Sequence, residues 1–208
     1  VPEAVAQALA LAEGGRPVVL ADIADNTGGG AAGDTTAVLR EVLRVGARGT
    51  TVACLWDPEA VQACLQAGVG ATLSLPVGGK IDPGHGAPVA VTGRVRTLSD
   101  GRFVHKGPML RGLEGRLGPT AVLDVDEVKI ILISQRWQTL DPEMIRFVGI
   151  DPLGERLLVV KSTIHYRAAF EPLAHAIVEV DAPGLSSSNL ARFNFTRVRR
   201  PIFPLDDL

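Results

Sequence analysis

The residues best suited to chemistry fall between positions 22 and 36, where Asp22, Asp25, Asn26, the triplet Gly28-Gly29-Gly30, Gly33 and Asp34 follow one another closely. Two motifs compete for this segment. Gly28, Gly30 and Gly33 satisfy the GxGxxG spacing of a dinucleotide-binding turn, with Asp57 as the ribose-binding acid. Against it, Asp22, Asp25 and Asp34 crowd the loop with negative charge, whereas a pyrophosphate needs amide donors and the positive end of a helix. A Walker loop fares worse, because Asp34 stands where its phosphate-contacting Lys belongs. The bland alternative is a tight turn in which the glycines let helix and strand approach and Asp34 or Thr35 caps the helix. Asp25 and Asn26 are different, since the carboxyl end of a parallel strand is where open α/β sheets place their ligands.

Two further segments carry candidate groups. Lys161 ends an apolar run and His165 follows it in what reads as the first turn of a helix. A helix start there would keep the imidazole neutral, able to bond a polarised carbonyl or hydroxyl. Lys80, after Gly78-Gly79, is placed to hold an anion or simply to be solvated. His105 and His175, on predicted strands without partners, read as structural, and His85 belongs to a Pro-Gly-His-Gly loop. Trp56 and Trp137 read as core or interface residues. No HExxH, HxH or DxH pattern occurs, so no metal site is expected in this chain. Cys54 and Cys64 lack CxxC spacing and fit reduced, buried thiols of a cytoplasmic protein.

The elements that must position these groups follow from hydrophobic period and punctuation. Residues 17–25 form an apolar run rich in Val and Ile, between Gly14-Gly15 and the glycine cluster, as a buried parallel strand requires. Val38, Leu39, Val42 and Leu43 then share one helical stripe that ends near Gly46. A second strand runs through 50–57, Asp57-Pro58 opens a second helix closed by Gly68, and 71–77 is a third strand. From about residue 86 the pattern alternates around Asp100-Gly101, the mark of an antiparallel hairpin, and continues as a meander to about residue 135. A short helix after Asp141-Pro142, a buried strand to Lys161, a helix from His165 and a strand from His175 complete the chain. The proline-bearing tail should wrap the surface. The expected fold is one three-layer α/β domain over residues 1–208, its sheet mainly parallel or mixed, with an antiparallel hairpin or meander insertion at about 86–135.

Composition narrows the function. At 208 residues, 46% apolar and 21% charged, the chain can bury a full core. Its 21 Lys and Arg against 23 Asp and Glu offer no basic excess for nucleic acid, and no apolar run is long enough for a membrane span. Beginning at Val1-Pro2-Glu3 without Met, it reads as a piece of a longer protein.

The motifs ADxxDNxGGGxxGDTT, WDPEAV, GVGA, GGK, VGIDPLGERLLVVKSxxHYRAAFEP, VDAPG and RRPIFPLD occur in that order over nearly the whole chain. In this the sequence resembles the C-terminal region of the microcystinase C (MlrC) family of metallopeptidases. It departs from the family pattern at Thr27 and Ala32, where Pro is usual. The resemblance implies an upstream domain of the same polypeptide that carries zinc, and a C-terminal domain that closes over that site. It implies catalytic roles for Asp25 and His165, which match the family's Asp and His. In the mechanism it implies, a neutral His165 and the amides of Gly28, Gly29 and Gly30 bond the developing oxyanion, while Asp25 orients a substrate amine or His165. Asn26, Lys80 and Lys161 join the candidate substrate contacts, the substrate being a small peptide or amide. The competing possibilities are a non-catalytic module binding an anion or dinucleotide at Gly28–Gly33, and an oligomerising domain.

Overall fold

Along the strand Val18–Asp22 (β1), Val18 and Leu20 point into one apolar cluster while Val19 and Ala21 point into another. Leu157–Lys161 (β9) divides the same way, so both strands are buried on two faces, which explains their unbroken apolar runs. The computed structural model describes residues 1–12 and 15–207. The Gly14 expected to flank β1 and the tail's final Leu208 lie outside the described residues.

The helices Pro2–Leu11 (α1), Ala37–Arg44 (α2) and Pro58–Ala67 (α3) cover one face of the sheet through Val5, Val38, Val42 and Val61. The other face is covered by the one-turn helices Glu143–Arg146 (α4) and Arg167–Phe170 (α5), and by a small hairpin of Arg102–Val104 (β5) with Glu114–Arg116 (β6). Met144, Tyr166, Phe170 and Phe103 are its main side chains. The remaining strands are Thr50–Trp56 (β2), Thr72–Val77 (β3), Val89–Ser99 (β4), Thr120–Val125 (β7), Val128–Ile133 (β8) and Ala176–Val180 (β10). The result is the three-layer α/β architecture with a mixed sheet. Its order is β10-β1-β9-β2-β8-β7-β4-β3, parallel from β10 to β8 and antiparallel from β8 to β3.

β1 and β2 are not neighbours, because β9 enters between them and pairs with both. Two expectations change. First, β3, expected in the mainly parallel unit, is antiparallel: it lies at the sheet edge, alternates between exposed and half-buried residues, and carries Pro76, which an edge strand tolerates because no ladder bond is lost. Second, Asp100-Gly101 does not close a hairpin. β4 pairs with β7 and β3, whereas β5 crosses to pair with β6, and among the described residues only the β5–β6 hairpin leaves the main sheet. The crossing brings Gly101, at φ +80°, against the backbone of Gly118, and Leu117 N–H donates to the Gly101 carbonyl at 2.8 Å.

A Cβ on Gly101 would lie 1.9 Å from the Gly118 oxygen, whereas Gly112, at φ +83°, has open space around it. Gly112→Ala should therefore cost about 1–2 kcal/mol for the left-handed backbone alone, and Gly101→Ala at least about 2 kcal/mol more. Urea unfolding of the two variants measures the difference; equal losses would contradict the close crossing.

Candidate functional site

Strand alternation places Asp22 on the same face as Leu20, and Lys161 on the same face as Val159. The two residues are also partners in the β1–β9 register, so their side chains meet beneath α2. The Lys161 Nζ lies 3.0 Å from Asp22 Oδ2, 2.8 Å from Asp25 Oδ2, 2.9 Å from the Thr35 carbonyl and 3.0 Å from Thr35 Oγ1. Asp22 and Asp25 are fully buried and Lys161 is 3% exposed. The second Asp25 oxygen accepts the Gly33 N–H at 2.8 Å, and Oδ2 also accepts the Thr35 N–H at 2.8 Å. An internal carboxylate thus occupies the place that a nucleotide-binding loop reserves for phosphate.

One ammonium between two carboxylates forces their proton affinities apart. Burial raises the carboxyl of Asp22, and the neighbouring Asp25 charge adds to it, more than Lys161 offsets; its Oδ1 has no hydrogen-bond partner among the described residues. Burial works upward on Asp25 too, but the Lys161 ammonium and the Thr35 and Gly33 amides hold it below the ordinary carboxylate value. Burial works downward on Lys161, and the two carboxylates outweigh it, keeping the ammonium charged.

A second knot fixes the loop after β3. Asp34 Oδ2 accepts the backbone N–H groups of Lys80 and Ile81, at 2.8 and 3.0 Å. Asp57 caps α3 through Ala60 N–H and accepts Gly78 N–H with its other oxygen. Lys80 Nζ is held by Asp57 at 2.8 Å and Glu59 at 3.0 Å. Neither Asp34 nor Thr35 caps α2. Thr36 occupies that position without a side-chain bond to the helix, because its hydroxyl reaches across to the Ala87 carbonyl. Lys80 is not a free anion holder either, since both carboxylates neutralise it.

Outside this buried layer, Asn26 starts a single 3-10 turn, Thr27–Gly29. Its side chain accepts Gly28 N–H and donates to Thr163 Oγ1 at 3.0 Å, while its own N–H donates to Ser186 Oγ. Gly29 and Gly30 N–H donate to the carbonyls of Asn26 and Thr27. The three glycine amides are therefore spent inside the loop, which removes both the oxyanion donors and the dinucleotide cradle expected of them. The loop presents bare glycine Cα surface. A Cβ on Gly28 would stand 2.4 Å from Gln138 Oε1.

His165 is exposed, in the turn that precedes α5 rather than within a helix. Its Nδ1 lies 3.1 Å from Gln138 Nε2. The structure thus brings His165 to the glycine loop through Gln138, and keeps it apart from Asp25 and Lys161, which lie inside with their polar atoms engaged. Gln138 was invisible to motif and spacing, being a single Gln in a connecting segment. The other histidines go elsewhere: His85 Nδ1 meets Asp82 at 3.0 Å, His105 is buried against Phe103 near Asp141, and His175 is exposed ahead of β10. Burial raises the Cys54 thiol to about 12 and the Cys64 thiol to about 11. Among the described residues no group of three or more His, Cys, Asp or Glu is arranged to hold a metal.

A three-layer α/β sheet with a buried lysine–aspartate knot under a glycine loop, and an exposed His beside it, defines a class that comparison identifies. The family described as MlrC C-terminus matches residues 20–197, and the chain belongs to it. Microcystinase C from Sphingomonas sp. is 32% identical over 198 residues, covering 95% of this chain and 38% of that protein. A crystal structure of a candidate metallopeptidase from Mesorhizobium sp. BNC1 superposes with a TM-score of 0.88 at 31% identity, over 98% of this chain and 41% of that one. The chain spans about two fifths of the length of these relatives.

Two substitutions separate the carboxylates. Asp25→Asn sets an amide group against the Gly33 and Thr35 donors and strands Lys161, which should cost about 3–5 kcal/mol. Asp22→Asn should cost under about 1 kcal/mol, because it removes a charge that burial already disfavours. Chemical unfolding at neutral pH tests the order, and equal losses would contradict it.

The pH dependence carries the same signs. Asp25 is lowered on folding, so its contribution is present above the unfolded value of 3.8 and disappears as pH falls through the folded value. Asp22 is raised, so it favours the fold fully below 3.8 and loses that contribution as pH rises through its folded value. Asp25→Asn should flatten the acid limb of the stability profile, and Asp22→Asn should relieve the loss at higher pH.

Proposed function

We propose that this chain is the C-terminal domain of a zinc-dependent peptidase or amidohydrolase of the MlrC type, acting on small linear peptides or amides. In this proposal it completes an active site whose metal is bound by an upstream domain of the same polypeptide. Membership of the MlrC C-terminus family supports a peptidase-associated role. The observation that carries the proposal is His165: an exposed imidazole at the carboxyl end of β9, fixed at one nitrogen by Gln138. The carboxyl ends of parallel strands are where such sheets receive ligands.

His165 bonds the carbonyl oxygen of the scissile amide and strengthens that bond as charge develops there. Asn26 and the Gly28–Gly30 surface shape the wall beside it, and the glycines' missing side chains let a peptide backbone approach. Asp25 and Lys161 act through the loop they hold, without touching the substrate. Two buried free thiols fit work in the reducing cytoplasm.

The test compares the full-length gene product with this chain alone on short linear peptides, with and without added zinc. Zinc-dependent hydrolysis by the full-length protein alone is expected, and His165→Ala should lower its kcat/KM by about 100–1,000-fold. Hydrolysis without zinc dependence, or an unchanged kcat/KM in His165→Ala, would overturn the proposal.

A further inference from the structure

Gln138 is 9% exposed and sits in the segment between β8 and α4. Trp137 packs against the core beside it, and Thr139 N–H bonds the Lys161 carbonyl at 3.4 Å, so the segment is tied to the end of β9. The Gln138 amide nitrogen donates to Ser162 Oγ at 2.8 Å, and Ser162 is fully buried directly after Lys161. A primary amide has a second hydrogen, and the remaining neighbour of Nε2 is His165 Nδ1 at 3.1 Å. When Nδ1 accepts, a neutral ring carries its proton on Nε2. That nitrogen has no hydrogen-bond partner among the described residues and belongs to an exposed side chain.

We infer that Gln138 is a positioning residue that holds His165 as the Nε2–H tautomer, turning its free nitrogen into a hydrogen-bond donor for a substrate carbonyl oxygen. The inference rests on the proposed role of His165 and adds what sets its direction of donation. The two acceptors of Gln138 lie at opposite ends of the turn 162–165, so one amide fixes both the backbone position and the ring. Its oxygen stands 2.4 Å from where a Cβ on residue 28 would be, so glycine at 28 is what lets this amide reach the imidazole. The amide thereby sits between the ring and the glycine loop. The opposite amide orientation would have Oε1, 3.3 Å from Nδ1, accept the ring proton and leave Nε2 as an acceptor. The two orientations predict opposite chemistry at the exposed nitrogen.

The experiment uses the full-length protein with a short linear peptide. Gln138→Met keeps the side-chain length and removes the amide; kcat should fall about 10–100-fold with KM changed less than about threefold. Gln138→Glu sets an acceptor against Nδ1, draws the proton away from Nε2, and should lower kcat as well. In parallel, long-range 1H–15N spectra of the wild-type protein, with the ring assigned by its loss in His165→Ala, should show Nδ1 unprotonated and Nε2 protonated. The Gln138→Met ring should relax toward a mixture of tautomers. Full kcat in both Gln138 variants, or a wild-type ring protonated on Nδ1, would overturn the inference. If His165→Ala is slow while the Gln138 variants keep full kcat, the positioning role alone fails. If His165→Ala is itself fully active, the proposed donor role fails, and the tautomer spectrum still decides what Gln138 does to the ring.

Discussion

An ammonium ion at the end of a strand buried on both faces is the constraint on which the rest of the site depends. Lys161 cannot lose the company of water there unless opposite charge and oxygen acceptors surround it, and four acceptors do so within 3.0 Å. Two of them come from carboxylates on and just beyond β1, and two from Thr35. The β1–β9 register, the path of residues 25–35 and the start of α2 are therefore set by one charge. The glycines of that loop serve the same end. They let the chain curl tightly enough for the Gly33 and Thr35 amides to reach Asp25 from one side.

A division of labour follows between inner and outer polar groups. Asp25, Lys161, Asp34 and Lys80 have their charges answered inside the domain, and a bound molecule would have to break those bonds to reach them. His165 and the glycine Cα surface are outward and carry unspent capacity. Gln138 joins the two layers, because its amide is nearly buried while its partner ring is exposed.

The amino-acid pattern made much of this legible. Unbroken apolar runs identified the doubly buried strands, Asp57-Pro58 and Gly68 marked both ends of α3, and the alternation after residue 86 announced antiparallel strands. Strand order escaped it, because the run that forms β9 reads the same at the centre of a sheet as near its edge. The Asp100-Gly101 turn misled for a related reason: a turn signal shows that the chain bends, not which strand it meets next. At the site, position at a strand end drew attention to Asp25, Lys161 and His165. Whether each faced inward or outward depended on alternation and on the loop's hydrogen bonds. Gln138 carried no sequence signal, since its role exists only through contacts with residues 28, 162 and 165.

A buried carboxylate, held by Lys161, builds the loop from its inside. Backbone amide hydrogen exchange at Gly33 and Thr35, the two donors to Asp25, tests it directly. Both amides should exchange as slowly as those of Val19 and Leu20 in β1, opening only with the whole domain. Exchange at the rate of an unprotected loop would show that the carboxylate does not hold them and that the loop is not built from its inside.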